Sequence, residues 1–161
     1  LDGAVLLAIL QPRNYAFVAK RELEENPLSR VLVKGIGAEF VERFDVQKSA
    51  EHADALADAA KAGRSLIIFP EGTMMRHTGL MPFRAGAFQA AAKAGVPVVP
   101  VALRGVRSVL RDGTWYPRRA PIAVTISPPI APDGEDWNAV LRLRDRVRAE
   151  IAKHCGEPDL T

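Results

Sequence analysis

Residues 65–69 read Ser-Leu-Ile-Ile-Phe, apolar from the second position on, with no polar residue at alternate positions. A strand with one wet face alternates polar and apolar residues. An unbroken run instead asks for cover on both faces. The neighbouring sequence supplies the covering helices. Residues 49–62 are alanine-rich, with Ser49 placed as an N-cap and Gly63 where a C-terminal cap belongs. Residues 84–94 form a second helical run, closed by Gly95. Residues 136–153 give a long last helix with Val140, Leu143, Val147 and Ile151 on one stripe.

Further short apolar runs at 15–19, 96–103 and 121–127 read as strands. Pro97 and Pro100 place the second of these at an edge or at a bulge. Residues 40–45 form a short extended piece after a turn at Gly35-Ile36-Gly37, and residues 20–35 a charged, partly helical connection broken at Pro27. Residues 3–10 are apolar on nearly every side and predict a short buried helix that ends before Pro12. Strands alternate with helices throughout. The fold expected is α/β, a mixed, largely parallel sheet flanked by helices. Residues 111–121 are the expected exposed loop.

The chain has 161 residues, 48% of them hydrophobic, enough for one domain spanning 1–161 with a sizeable core. It opens at Leu1-Asp2, already within an apolar helical run and without an initiator methionine, so the reading is of an N-terminally truncated piece of a longer protein. A net charge of +3 suits an anionic substrate or an anionic membrane surface, and equally an ordinary solvated one; no nucleic-acid signature accompanies it. The single cysteine, Cys155, excludes an internal disulfide or a cysteine metal cluster, and no histidine, cysteine and carboxylate group has metal-ligand spacing. No apolar run reaches the ~18 residues of a membrane-spanning helix.

Chemistry in open α/β sheets gathers where strands deliver their last residues into loops. Here 66–69 runs into Pro70-Glu71-Gly72-Thr73. Glu71 offers a carboxylate, Gly72 allows close backbone approach, and Thr73 offers a hydroxyl. Arg76 follows, and Arg84 opens the next helix, where an arginine and free backbone N–H groups can hold a phosphate. A plain turn with Glu71 in solvent explains the local pattern equally well. In Gly-Ala-Glu-Phe-Val-Glu-Arg-Phe-Asp (37–45), Arg43 is either a surface ion-pair partner or a phosphate-gripping residue.

Phe-Pro-Glu-Gly-Thr (69–73) resembles a hallmark block of the glycerolipid acyltransferase family, the lysophosphatidic acid and glycerol-3-phosphate acyltransferases. Leu1-Asp2 before an apolar helix resembles the end of that family's first block, a histidine, four residues and an aspartate. Residues 37–45 resemble the second block, 96–103 the fourth, and Phe-Arg-Ala-Gly-Ala-Phe (83–88) the segment after the third. Four blocks in order, over about residues 1–103, make a specific match.

The resemblance implies a reaction and a site. An acyl group passes from acyl-CoA or acyl carrier protein to the free hydroxyl of 1-acylglycerol 3-phosphate, giving phosphatidate. A histidine general base takes the hydroxyl proton and an aspartate orients it, without a protein nucleophile and without a metal or other cofactor. Asp2 is then the orienting carboxylate, with the histidine upstream of Leu1 and this fragment inactive without it. Arg43, Glu71, Gly72, Thr73 and Arg76 bind the acceptor. Glycerol 3-phosphate or another lysophospholipid is the alternative acceptor, and a non-catalytic lipid- or phosphate-binding module the alternative role.

This sequence departs from the family pattern at Met74 and Met75, which stand before Arg76 where an arginine commonly follows the block directly, and at Glu42. The implied location is the cytoplasmic face of a membrane, peripheral or tethered through other parts of the parent chain. Residues 5–10, 80–83 and 115–116 are the candidate contacts. Arg142, Arg144, Arg146 and Arg148 read as a basic face opposite the apolar stripe of the last helix. His154 and Asp159 share the first block's spacing by chance, at an expected frayed end, while His52 and His77 read as surface residues.

Overall fold

The structure is a computed structural model, and it describes residues 2–10, 15–18, 39–40, 49–72, 79–109, 116 and 118–160. Helix α1 (Asp2–Leu10) is followed by β1 (Tyr15–Val18), β2 (Glu39–Phe40), α2 (Ser49–Lys61) and β3 (Ser65–Ile68). Then come α3 (Gly86–Ala94), β4 (Val101–Arg104), α4 (Val106–Val109), β5 (Ala123–Ile126) and α5 (Trp137–Cys155).

The described strands form two groups. One is a parallel trio in the order β2-β1-β3, with Tyr15 opposite Ser65, Val18 opposite Ile68, and Phe17 opposite Phe40. The other is an antiparallel pair, β4 with β5, running from Val101 opposite Ile126 to Arg104 opposite Ala123. The expected strand at 96–103 is interrupted. Val98 and Ile130 exchange hydrogen bonds of 2.9 and 2.8 Å as an isolated bridge, and continuous pairing starts only at Val101. Pro97 and Pro100 have no N–H to give to a ladder, and Pro100 contributes only its carbonyl, to the Ser127 N–H at 3.0 Å.

Among the described residues the core has two parts. In the larger, Val140, Leu143 and Val147 of α5 pack with Phe88, Ala91 and Ala92 of α3, Ala102 of β4, and Leu80 and Phe83. Leu143 and Val140 are each only 1% exposed, so the stripe read from the sequence is the buried face of α5. In the smaller, Leu56 and Ala57 of α2 meet Ala90 of α3, with Leu66 and Ile68 of β3 against them. Small side chains let α2 and α3 approach closely, and α3 is buried on both sides. Asp136 caps α5, its Oδ1 accepting the N–H groups of Asn138 at 2.9 Å and Ala139 at 3.1 Å. Gly156, at φ 69°, ends the helix in the left-handed conformation.

Several expectations need correction. α1 is not uniformly buried: Leu6 is buried but Ile9 is 47% exposed. Leu66 to Ile68 are half-buried, and Phe69, beyond the last paired residue, is 41% exposed. Arg84 does not open α3, which begins at Gly86 with Ala85 as its N-cap. Leu80 and Phe83 are core residues rather than surface contacts. Residues 157–160 are not frayed. The Leu80 N–H donates to the Pro158 carbonyl at 2.8 Å, and the Leu160 N–H donates to the Leu80 carbonyl at 3.3 Å. Among the described residues, no helix is long and apolar enough to cross a membrane.

Candidate active site

β3 ends at Ile68 and the chain turns at once. The Gly72 N–H donates to the Phe69 carbonyl at 3.1 Å, and Gly72 takes φ +67°. A side chain there would be strained, and it would also collide with Arg84, whose Nε lies 2.6 Å from where a Cβ would stand. The Arg84 N–H reaches back to the Pro70 carbonyl at 2.9 Å. The turn after β3 and the approach to α3 are thus laced together, with the Arg84 stem lying across Gly72.

Glu71 does not project freely into solvent. It is half-buried, and its Oε2 accepts the Met81 N–H at 3.2 Å. Burial pushes its pKa above the ordinary value of 4.5. The Met81 hydrogen bond and the positive charge of Arg107 oppose that shift, while the negative charges of Asp2 and Glu157 add to it. The structure therefore brings Asp2, in the first turn of α1, into the electrostatic neighbourhood of Glu71, far along the chain. An acidic residue in a helix's first turn is also favoured by the helix dipole. Of the residues expected at the site, Glu71 and Gly72 share this turn, and Asp2 acts on Glu71 only through its charge. Arg43, Thr73 and Arg76 lie outside the described residues, as do His52's side chain and His77.

Sequence reasoning missed Arg107 and Glu157. Arg107 lies on the single turn of α4, after Gly105, whose φ of +89° and contact with the Pro121 carbonyl leave no room for a side chain. Its Nε pairs with Glu157 Oε1 at 3.1 Å, and Glu157 Oε2 accepts the Gly79 N–H at 2.6 Å. Nothing short-range marks either residue, because both partners are distant in sequence. Arg148 was expected on the solvent face of α5. Its side chain is only 12% exposed, and it donates to the Leu80 carbonyl at 3.1 Å and to both oxygens of Asp159, at 2.5 and 2.9 Å. It also stands 5.9 Å from the centroid of Phe83.

The sequence model of the family described as Acyltransferase matches residues 1–104, from Asp2 through the Glu71 turn to the end of β4. The chain belongs to the acyltransferase family. Within that family, this acyltransferase chain is 33% identical over 154 residues to the chloroplastic 1-acyl-sn-glycerol-3-phosphate acyltransferase BAT2 of Brassica napus, covering 95% of this chain and 43% of that protein. It is 32% identical over 155 residues to the 1-acyl-sn-glycerol-3-phosphate acyltransferase of Salmonella typhimurium, covering 96% of this chain and 59% of that one. The chain spans about half the length of the curated relatives it matches. Its fold is shared with the crystal structure of the 1-acyl-sn-glycerophosphate (LPA) acyltransferase PlsC from Thermotoga maritima. The TM-score is 0.63 and the identity 23%, covering 87% of this chain and 56% of that one.

Proposed function

We propose that this acyltransferase moves a fatty acyl group from acyl-CoA or acyl carrier protein to the free hydroxyl of 1-acylglycerol 3-phosphate, forming phosphatidate. The observation that carries the reading is the turn after β3, where Gly72 at φ +67° lies under the Arg84 stem and the half-buried Glu71 carboxylate accepts the Met81 N–H. It is supported by relatives that bear this activity in their names and align with nearly the whole chain. The scaffold is read as a single acyltransferase domain, the parallel trio and the antiparallel pair belonging to one mixed, largely parallel sheet flanked by helices.

In the reaction the acceptor hydroxyl attacks the thioester carbonyl, a carbon–oxygen ester bond forms, the carbon–sulfur bond breaks, and the thiolate leaves with a proton. The family pattern assigns the proton transfer to a histidine five positions before Asp2, outside this sequence. Asp2 fixes that imidazole and stabilises its charged form. Glu71 and Gly72, with Arg43, Thr73 and Arg76, hold the glycerol phosphate, and Arg84 and Arg107 add positive charge beside Glu71. No metal or other cofactor enters this scheme. The protein works at a membrane because its acceptor is a lipid, and we place it on the cytoplasmic face, peripheral or tethered through other parts of the parent chain. The exposed Ile9 and Tyr116 are apolar surface suited to that contact.

The test is acyl transfer by the full-length protein, with a panel of lysophospholipids and both donor types. Glu71→Ala and Arg43→Ala are expected to raise the acceptor KM strongly, and Asp2→Asn to lower kcat with acceptor KM little changed. Acceptor kinetics untouched by the first two substitutions would contradict the site assignment.

A further inference from the structure

The hydrogen bond that Glu71 accepts comes from Met81, and residues 79–81 are held almost entirely by distant parts of the chain. The Gly79 N–H is bound by Glu157, and the Leu160 side chain fills the space where a Cβ on Gly79 would stand. Leu80 pairs with residues 158–160 as an isolated parallel bridge to Asp159. The Leu80 carbonyl takes an Arg148 N–H at 3.1 Å, and Arg148 also approaches the Met81 carbonyl at 3.5 Å. Asp159 grips the other side of the same guanidinium through both oxygens, a fork-to-carboxylate geometry that fixes direction as well as charge.

A backbone N–H aimed at a carboxylate is only as well placed as its peptide. Here the peptide's flanks are fixed by one arginine of α5 and by the segment after that helix. We propose that Arg148 and Asp159 are positioning residues for the acceptor site. Together they brace residues 80–81, so that the Met81 N–H holds the Glu71 carboxylate in the orientation that receives the phosphorylated glycerol.

This inference rests on Glu71 being an acceptor-binding residue, and the experiment separates the two. In the full-length protein, Asp159→Asn removes the charge while keeping the shape. Arg148→Lys keeps the charge and loses the fork. Steady-state kinetics with 1-acylglycerol 3-phosphate and acyl-CoA would be measured for each, alone and combined with Glu71→Ala. Each single variant is expected to raise the acceptor KM about three- to tenfold, the equivalent of one well-placed hydrogen bond. The donor KM and kcat should stay within about twofold. In the Glu71→Ala background the same substitutions should add nothing, because the group they orient is gone. If Glu71→Ala raises the acceptor KM and neither brace variant does, the brace is wrong and the site reading stands. An equal increase with and without Glu71 also overturns the brace, since the effect then bypasses the carboxylate. An unchanged acceptor KM in Glu71→Ala itself overturns both.

Discussion

Replacing Gly79 with alanine attacks the point where residues 157–160 close over the chain. Two costs can be separated. Gly79 has φ +135°, a conformation that residues with a Cβ rarely adopt, and forcing it costs about 1–3 kcal/mol. The added methyl would also overlap the Cγ and Cδ1 of Leu160, which must leave. Leu160 is 46% exposed, so its displacement forfeits about half of a leucine's burial, ~1 kcal/mol. The single variant should therefore lose about 2–4 kcal/mol in urea unfolding, with the slope of the transition unchanged. Leu160→Ala alone should lose ~1 kcal/mol. The double variant should lose no more than Gly79→Ala, so the two costs fall short of additivity by ~1 kcal/mol. Strict additivity would mean that Gly79 and Leu160 do not share space. A Gly79→Ala protein within about 0.5 kcal/mol of the parent would refute the backbone argument as well.

Two other substitutions have definite expected outcomes. In Glu71→Gln, the neutral amide keeps an acceptor for the Met81 N–H and removes the ionisable carboxyl. Because burial raises the Glu71 pKa above 4.5, the folded protein binds more protons than the unfolded chain between the ordinary and the raised value, and stability falls as pH rises through that window. The variant should match the parent below it and exceed it above, which urea midpoints at acid and neutral pH will read, while acceptor binding weakens. Asp136→Ala should cost ~1 kcal/mol by leaving the Asn138 and Ala139 N–H groups unpaired at the start of α5, measured by the same unfolding assay.

The parts of the fold readable from sequence are those decided by short-range periodicity. The stripe of α5, the run at 65–68 and the glycines that end α2, α3 and α5 are each set by neighbours within a few residues. Of the candidate site, the turn holding Glu71 and Gly72 and the helix that Asp2 opens were readable. What Glu71 touches was not, because Met81 lies 10 positions away in sequence, beyond the reach of any local pattern. Arg148 shows a different failure. At about 100° per residue it falls on the flank of the apolar stripe, not opposite it, and a long side chain there can reach inward to backbone carbonyls. Grouping it with Arg142 by charge alone hid that. Arg142 does face out, to Asp133 at 2.9 Å. The helix expected from residue 84 begins at Gly86, and the Arg84 N–H, which a helix's first turn would leave without an intrahelical partner, goes to the Pro70 carbonyl.

The closure of residues 157–160 over residues 79–81 also orders events in time. Glu157 and Gly79 are 78 positions apart, and Arg148 and Leu80 are 68 apart. A chain made from its N-terminus at about 5–20 residues per second exposes the Glu71 turn several seconds before the residues that brace it. Until they emerge, Gly79 and Leu80 lack their partners, and the apolar faces of Leu80, Phe83 and Phe88 lack α5. A nascent chain of this build carries the Glu71 turn early and finishes its surroundings late, so a ribosome stalled within α5 would display that turn before residues 157–160 close over Gly79 and Leu80.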